Sequence, residues 1–118
     1  MREPPAIESY GGGGFRVAGA WRPGSLLILQ DEPLDWRPTV FADVSPDDFA
    51  AVLSAPRGAV EFVLLGTGRT QALPPRAIRE LLRGAGLGLE FMATDTAART
   101  HNVLASQGRL FATALIAV

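Results

Sequence analysis

The chain contains no cysteine and no lysine, and His101 is its only histidine. The absence of cysteine excludes disulfides, iron–sulfur ligation and a thiol nucleophile, and a single histidine argues further against a zinc site. The absence of lysine excludes Schiff-base chemistry and the lysine of a phosphate-binding P-loop. We therefore expect no bound metal and no cofactor, and the sequence identifies no catalytic residue.

Strong net charge and long apolar runs are also missing. The formal net charge is −1, so the electrostatic footprint of a nucleic-acid-binding protein is absent. All eleven basic residues are arginine, which fits either phosphate recognition or a general Ala/Gly/Arg-rich composition, and the second interpretation is favoured. No apolar run approaches the roughly 20 residues that span a bilayer. Residues 1–14 lack the apolar segment of a secretory signal, so we expect a cytoplasmic protein without a membrane span.

What is present points to a single globular domain. The chain has 118 residues, of which 47% are hydrophobic, and domains typically contain about 100–150 residues. We expect one domain over residues 1–118, with residues 1–6 flexible.

The first third of the chain is typical of short strands. Four consecutive glycines, Gly11–Gly14, separate the segments Ile7–Tyr10 and Phe15–Gly19. A phosphate-binding loop would require a helix after the glycines, so a β-hairpin turn is the favoured interpretation. Ser25–Gln30 is a continuous apolar run and predicts a buried strand, whereas Asp31–Thr39 is expected to be a loop.

From residue 60 onward, apolar strands alternate with amphipathic helices. This order predicts an α/β sheet covered by helices on both faces. The link before the last strand is short, so that strand could also return antiparallel. The expected elements are a helix from Ser45 to Pro56, helices following Leu73-Pro74-Pro75 and over Asp95–Gln107, and strands at Val60–Leu65, Leu87–Met92 and Leu110–Val118.

Two loops qualify as a candidate site because ligands of open α/β sheets bind beyond the carboxyl ends of the strands. Gly66-Thr67-Gly68-Arg69 follows one predicted strand, and Thr94-Asp95 follows the next. If the strands are parallel, the two loops lie at the same end of the sheet and could share a cleft. Backbone amides and a helix amino terminus could there bind an anion together with Arg69 and Arg99. Alternatively, the glycines only turn the chain.

The third helix carries the chain's only histidine on its apolar side. We expect His101 to be packed and hydrogen-bonded in the core, so that phenylalanine is tolerated at this position and aspartate destabilises the fold. Asp95 and Arg99 are four residues apart, which predicts an intrahelical pair worth a few tenths of a kcal/mol. No Ser-His-Asp triad arises from this helix, since its polar residues lie opposite His101.

Six short motifs occur in order along nearly the whole chain. They are Ile7-Glu8-Ser9-Tyr10, Gly13-Gly14-Phe15, Gly66-Thr67-Gly68, Glu90-Phe91-Met92-Ala93-Thr94, Arg99-Thr100-His101-Asn102 and Gly108-Arg109. In this order they resemble a family of small, uncharacterised α/β proteins of bacteria and archaea. The mitochondrial member of that family is an assembly factor for respiratory complex I (NADH:ubiquinone oxidoreductase).

The resemblance implies a three-layer fold with a mixed central sheet of about five strands, the last of them antiparallel. It implies no established enzymatic activity and no known cofactor, and it suggests a role in binding other proteins. The sequence departs from the family pattern at four positions. Ala93, Ala98, His101 and Gln107 replace an acid, a cysteine, a tyrosine and an acid, respectively. Any acid–base or thiol chemistry that used those groups is therefore closed to this chain.

We interpret the chain as a non-catalytic, protein-binding or assembly-factor-like module. The alternative is a protein or enzyme that binds a small anion at the same loops. The partner's identity and the oligomeric state are left open. The residues predicted to contact a ligand or partner are Gly66, Thr67, Gly68, Arg69, Thr94, Asp95, Arg99, Thr100, Asn102 and Arg109.

Overall fold

The computed structural model describes residues 3–118 and contains eight strands, three α-helices and two 3₁₀ segments. The strands are β1 (Ile7–Gly11), β2 (Gly14–Val17), β3 (Ala20–Pro23), β4 (Ser25–Leu29), β5 (Glu32–Trp36), β6 (Phe62–Gly66), β7 (Gly88–Met92) and β8 (Phe111–Leu115). The helices are α1 (Ala50–Leu53), α2 (Arg76–Gly84) and α3 (Thr94–Ser106), and the 3₁₀ segments are Phe41–Asp43 and Pro46–Phe49.

The central sheet has five strands in the order β5-β4-β8-β6-β7. Strand β6 runs parallel to both β7 and β8, whereas β4 is antiparallel to its neighbours β5 and β8. The family resemblance implied that the last strand, β8, is antiparallel, but β8 is antiparallel only to β4 and runs parallel to β6. The one strand of this sheet that runs opposite to the other four is β4. The 13 residues of α3 span about 20 Å, enough to return the chain along the sheet, so the short link before β8 still gives a parallel strand.

Helices cover both faces of this sheet, as expected. On one face, Phe49 and Val52 pack with Ile78 and Leu82 of α2 against a core that includes Val63. On the other face, α3 and the small β1–β2–β3 sheet pack on a second core. That core includes Ile7, Phe15, Leu26, Leu64, Ala97 and Leu115. The three-layer architecture with a mixed sheet is confirmed.

The glycine run forms the predicted hairpin turn. Gly11 pairs with Gly14 across β1 and β2, and Gly12 and Gly13 between them have φ angles of 64° and 84°. Both values lie in the left-handed region, where glycine alone carries no steric cost. A strand follows the turn, which removes the phosphate-loop interpretation.

One local prediction is wrong, and a second holds only in part. Asp31–Thr39 was expected to be a loop, yet Glu32–Trp36 forms β5 at the edge of the sheet. An edge strand tolerates Pro33 because one side of its backbone needs no partner. The helix expected from Ser45 to Pro56 does begin after Ser45 as its N-cap, with Pro46 as its first residue. Its first turn is 3₁₀ rather than α, and it ends at Leu53, before Pro56.

The amino-terminal segment is partly described. Residues 1 and 2 of the segment expected to be flexible lie outside the described residues, while Pro5 is buried and its carbonyl contacts the His101 ring. Within residues 3–118, no helix is long and apolar enough to cross a membrane.

Candidate functional site

The two predicted loops meet at the carboxyl edge of the sheet through a buried set of hydrogen bonds. The amide of Gly68 donates to the Thr94 hydroxyl at 2.9 Å, and the amide of Thr94 donates to the Gly68 carbonyl at 2.8 Å. The Thr94 hydroxyl in turn donates to the Ile116 carbonyl at 2.8 Å. The hydroxyl therefore joins three segments of the chain. Because Thr94 is also fully buried, its hydroxyl is not available to a ligand.

Close packing explains the first glycine of this loop. A Cβ on Gly66 would lie 2.7 Å from Leu115 Cδ2 and 3.1 Å from the Thr94 Cα. Gly68 has a φ of +106°, a value that side-chain-bearing residues rarely adopt. We call Gly66, Thr67, Gly68 and Thr94 together the loop–helix junction.

Thr67 also serves this junction rather than a ligand. It is buried, and its hydroxyl donates to the Thr70 carbonyl at 2.7 Å and accepts the Ala72 amide at 3.1 Å. The side chain therefore shapes the loop that follows β6.

An open cleft of about 310 Å³ lies beside the junction. Its lining residues are Tyr10, Gly11, Gly12, Gly68, Arg69, Asp95 and Val118. Arg99 joins this cleft through its Nη1, which donates to the Tyr10 hydroxyl at 2.9 Å. We call the exposed side chains Tyr10, Arg69, Asp95 and Arg99 the cleft rim.

The predicted ion pair between Asp95 and Arg99 is not present in the described chain. Asp95 Oδ1 instead accepts the Thr96 amide at 2.8 Å, and Arg99 turns to the hairpin. Arg99 finds an acceptor in the hydroxyl of Tyr10 on the neighbouring strand β1. The Asp95 carboxylate instead accepts an amide of the first helical turn, which has no partner within the helix.

Asn102 and Thr100 have structural contacts on α3. Asn102 Oδ1 accepts the Ile7 amide, and its Nδ2 donates to the Ile7 carbonyl, both at 2.8 Å. This two-way bond holds β1 on α3. The Thr100 hydroxyl lies 3.4 Å from the Met92 sulfur, directed toward β7.

His101 is buried, with 2% of its surface exposed. Its Nε2 lies 2.8 Å from the Pro5 carbonyl, and its Nδ1 lies 2.7 Å from the Thr113 hydroxyl. Since a carbonyl only accepts, Nε2 carries the proton and Nδ1 accepts from Thr113. Burial lowers the pKa of the ring, which keeps it neutral. Both nitrogens are therefore engaged, and the ring is not available as a general base.

Arg109 does not join the cleft rim. Its guanidinium carbon lies 5.0 Å from the centre of the Phe62 ring, a cation–π contact. Phe62 begins β6, so this contact lies at the amino edge of the sheet, one strand length from Gly66.

No group of three or more histidine, cysteine, aspartate or glutamate side chains is suited to a metal within residues 3–118. Nothing at the cleft rim pairs a nucleophile with a base. The arrangement can supply charge, an aromatic ring and hydrogen bonds to a partner.

Tyr10, Gly11 and Gly12 line the cleft but were missing from the predicted site residues. Nothing in their spacing relates the first hairpin to a helix some 89 residues later. The motif Ile7-Glu8-Ser9-Tyr10, taken together with the Arg99 motif, was the available signal.

Residues 7–116 match the family described as "Protein of unknown function (DUF498/DUF598)". The chain belongs to this family, which confirms the resemblance drawn from the six motifs. An uncharacterised protein of Rhodobacter capsulatus is 41% identical over 93% of this chain and 82% of its own length.

A bovine protein named NADH dehydrogenase (ubiquinone) 1 alpha subcomplex assembly factor 3 is 33% identical over 98% of this chain. The match covers 64% of the bovine protein, so the chain spans slightly less than two thirds of that relative. A solved structure from Rhodopseudomonas palustris is 36% identical and superposes with a TM-score of 0.83, over 100% of this chain and 89% of the other.

Proposed function

We propose that this protein is a non-catalytic, assembly-factor-like module that binds a protein partner through the cleft rim. The observation that carries the proposal is the division of roles at the carboxyl edge. Thr67, Thr94 and Asn102 use their polar groups within the fold, whereas the rim residues remain exposed.

The composition of the rim suits a protein interface. Tyrosine and arginine are over-represented among the side chains that contribute most to binding energy. Tyr10 is 38% exposed, and Arg99 holds its hydroxyl in place. An aromatic ring fixed in this way loses little conformational freedom when a partner covers it.

The name of the bovine relative supports the same function. That protein is named as an assembly factor, and the match covers 98% of the present chain. An assembly factor acts through transient contact with other proteins, which requires an accessible surface and no reaction chemistry. We propose that the present chain acts in this manner on a partner in the bacterial cytoplasm.

The anion-binding alternative has weaker support. Arg69 and Arg99 would favour an anion, but Asp95 places a carboxylate in the same cleft. The Asp95 carboxylate already accepts an amide hydrogen at the first turn of α3, where an external anion would otherwise bind.

The test compares the double variant Arg69→Ala/Arg99→Ala with a control, Arg57→Ala/Arg83→Ala, as tagged baits in a bacterial lysate. All four arginines are exposed, so each pair removes the same charge. A partner that contacts the rim should bind the first variant about tenfold or more weakly, because its own charged groups are left unpaired. Equal recovery of partners by both variants contradicts the proposal. Saturable sulfate or phosphate binding in calorimetry that only the first variant loses would establish the alternative.

A further inference from the structure

The two edges of the central sheet differ in their capacity to accept another strand. The β5 edge carries Pro33 and two acidic residues, and Arg22 pairs with Asp35 there at 3.0 Å. Proline and charge are the usual means by which proteins block an edge strand. The opposite edge, β7, has the sequence GLEFM, with no proline and a single charge.

Strand β7 directs backbone hydrogen-bonding groups away from the sheet. The Gly88 amide donates to the Glu61 carbonyl, and the Met92 carbonyl accepts from Thr67, so the even-numbered residues of β7 face β6. Because backbone groups alternate along a strand, the amides and carbonyls of Leu89 and Phe91 face outward. Strand β7 is the last strand of the sheet in the described chain.

The side chains of β7 define what a sixth strand would contact. Leu89 and Phe91 are half-buried and pack on the α2 side of the sheet. Glu90 projects to the other side, is exposed, and has no ion-pair partner within residues 3–118. An antiparallel strand would place two of its residues opposite Leu89 and Phe91 and a third opposite Glu90.

Charge distinguishes between the possible occupants of this edge. If β7 of a second copy paired with Leu89 opposite Phe91, the two Glu90 side chains would lie directly opposite each other, which is unfavourable. A strand with a basic residue between two apolar residues would instead pair charge with Glu90 and apolar surface with Leu89 and Phe91.

We propose that the β7 edge binds an extended segment of another protein as a sixth, antiparallel strand. The segment carries an apolar–basic–apolar triplet opposite Phe91, Glu90 and Leu89. This surface is separate from the cleft rim, so the proposal stands or fails independently of the function proposed above.

The probe is a short labelled peptide with a central valine–arginine–valine triplet between threonines, and its matched control has glutamate in place of arginine. Binding is followed by chemical shifts of the Leu89 and Phe91 amides during titration. The arginine peptide should bind about fivefold more tightly than the control, the effect of one cross-strand charge pair. In Glu90→Arg the order of the two peptides should reverse.

Leu89→Pro tests the backbone contact directly. Since the Leu89 amide faces outward, proline removes one hydrogen bond to the peptide and leaves the bonds to β6 intact. Affinity for the arginine peptide should fall about tenfold, and methylating the two valine amides of the peptide should have a similar effect in the unchanged protein.

Three results would overturn the proposal. The first is the absence of saturable shifts at Leu89 and Phe91 with either peptide. The second is equal affinity for the methylated and unmethylated peptides. The third is a wild-type dimer in sedimentation that Leu89→Pro dissociates, which would identify a second copy as the occupant of this edge.

Discussion

The loop–helix junction and the cleft rim lie side by side at the carboxyl edge of the sheet, yet they differ in burial and in hydrogen bonding. In the junction, the Thr94 hydroxyl is fully buried and bonded to two backbone groups. On the rim, Arg69 and Asp95 are exposed, and Arg99 donates a hydrogen bond to the Tyr10 hydroxyl. The junction holds β6, α3 and the segment after β8 together, whereas the rim side chains stay exposed beside it.

Because of this difference, the effect of a substitution on the free energy of unfolding should distinguish the two regions. A change in the junction should lower the free energy of unfolding, whereas a change on the rim should lower binding and leave stability nearly intact.

Gly66→Ala should cause the largest loss, about 2–3 kcal/mol of unfolding free energy, because the added Cβ would overlap Leu115 and the Thr94 backbone. The control is Gly84→Ala in α2, where an added Cβ meets no atom within 4 Å. That change should be neutral or stabilise by up to about 1 kcal/mol. Chemical denaturation measures both, and equal effects of the two variants would remove the steric account of Gly66.

Thr94→Val should cost about 2 kcal/mol, since it keeps the shape of the side chain but leaves the Gly68 amide and the Ile116 carbonyl without their partner. Thr96→Val is the matched control on the exposed side of the same helical turn and should change stability by less than about 0.5 kcal/mol. If Thr94→Val also left the thermal midpoint unchanged, the hydroxyl would not be part of the structural junction.

The third prediction concerns pH and His101, which lies in the middle of α3 and contacts Pro5 and Thr113. Because burial lowers the pKa of this ring in the folded state, the unfolded chain binds the proton more readily. Stability is therefore full above pH 6.5, the ordinary histidine value, and is lost as pH falls below it, at up to about 1.4 kcal/mol per pH unit.

His101→Phe is the control, since the chain then has no histidine and this part of the pH dependence should vanish. The substitution itself should cost about 1–2 kcal/mol, because the Pro5 carbonyl and the Thr113 hydroxyl lose their partner. The structure thus revises the expectation that phenylalanine is tolerated. An identical stability slope between about pH 7 and pH 5 in both proteins would show that the His101 ring does not resist protonation.

Arg99→Ala should have the smallest effect on stability, below about 1 kcal/mol, because it removes one exposed hydrogen bond to Tyr10. Its effect on partner binding should be larger, about 2 kcal/mol. Tyr10→Phe removes the same bond from the other side and keeps the ring and the Arg99 charge. A large loss of stability in Arg99→Ala alone would place Arg99 among the structural residues.

The sequence was sufficient to predict the alternating strands and helices after residue 60, because apolar runs bounded by glycine and proline are strong local signals. It was also sufficient to bring Gly66–Arg69 together with Thr94, since parallel strands end at the same edge. Strand β5 was missed because Pro33 and two acidic residues resemble a loop, and only the edge position makes them compatible with a strand.

The roles of the polar residues at the site could not be predicted in the same way. Whether Thr94 faces a ligand or the Ile116 carbonyl depends on the packing of a segment 22 residues away. Tyr10 was missed because its contact with Arg99 joins residues that are 89 positions apart in the sequence. Such contacts depend on how the layers stack, and local patterns carry no information about that stacking.

The claim that the cleft rim is the partner-binding surface is tested most directly by photocrosslinking in living cells. A photoreactive amino acid replaces Arg69 on the rim or, as the control, Arg57 in the loop before β6; both positions are exposed. We expect a discrete protein adduct from position 69 and none from position 57. Adducts from position 57 alone, or the same adducts from both positions, would contradict the claim.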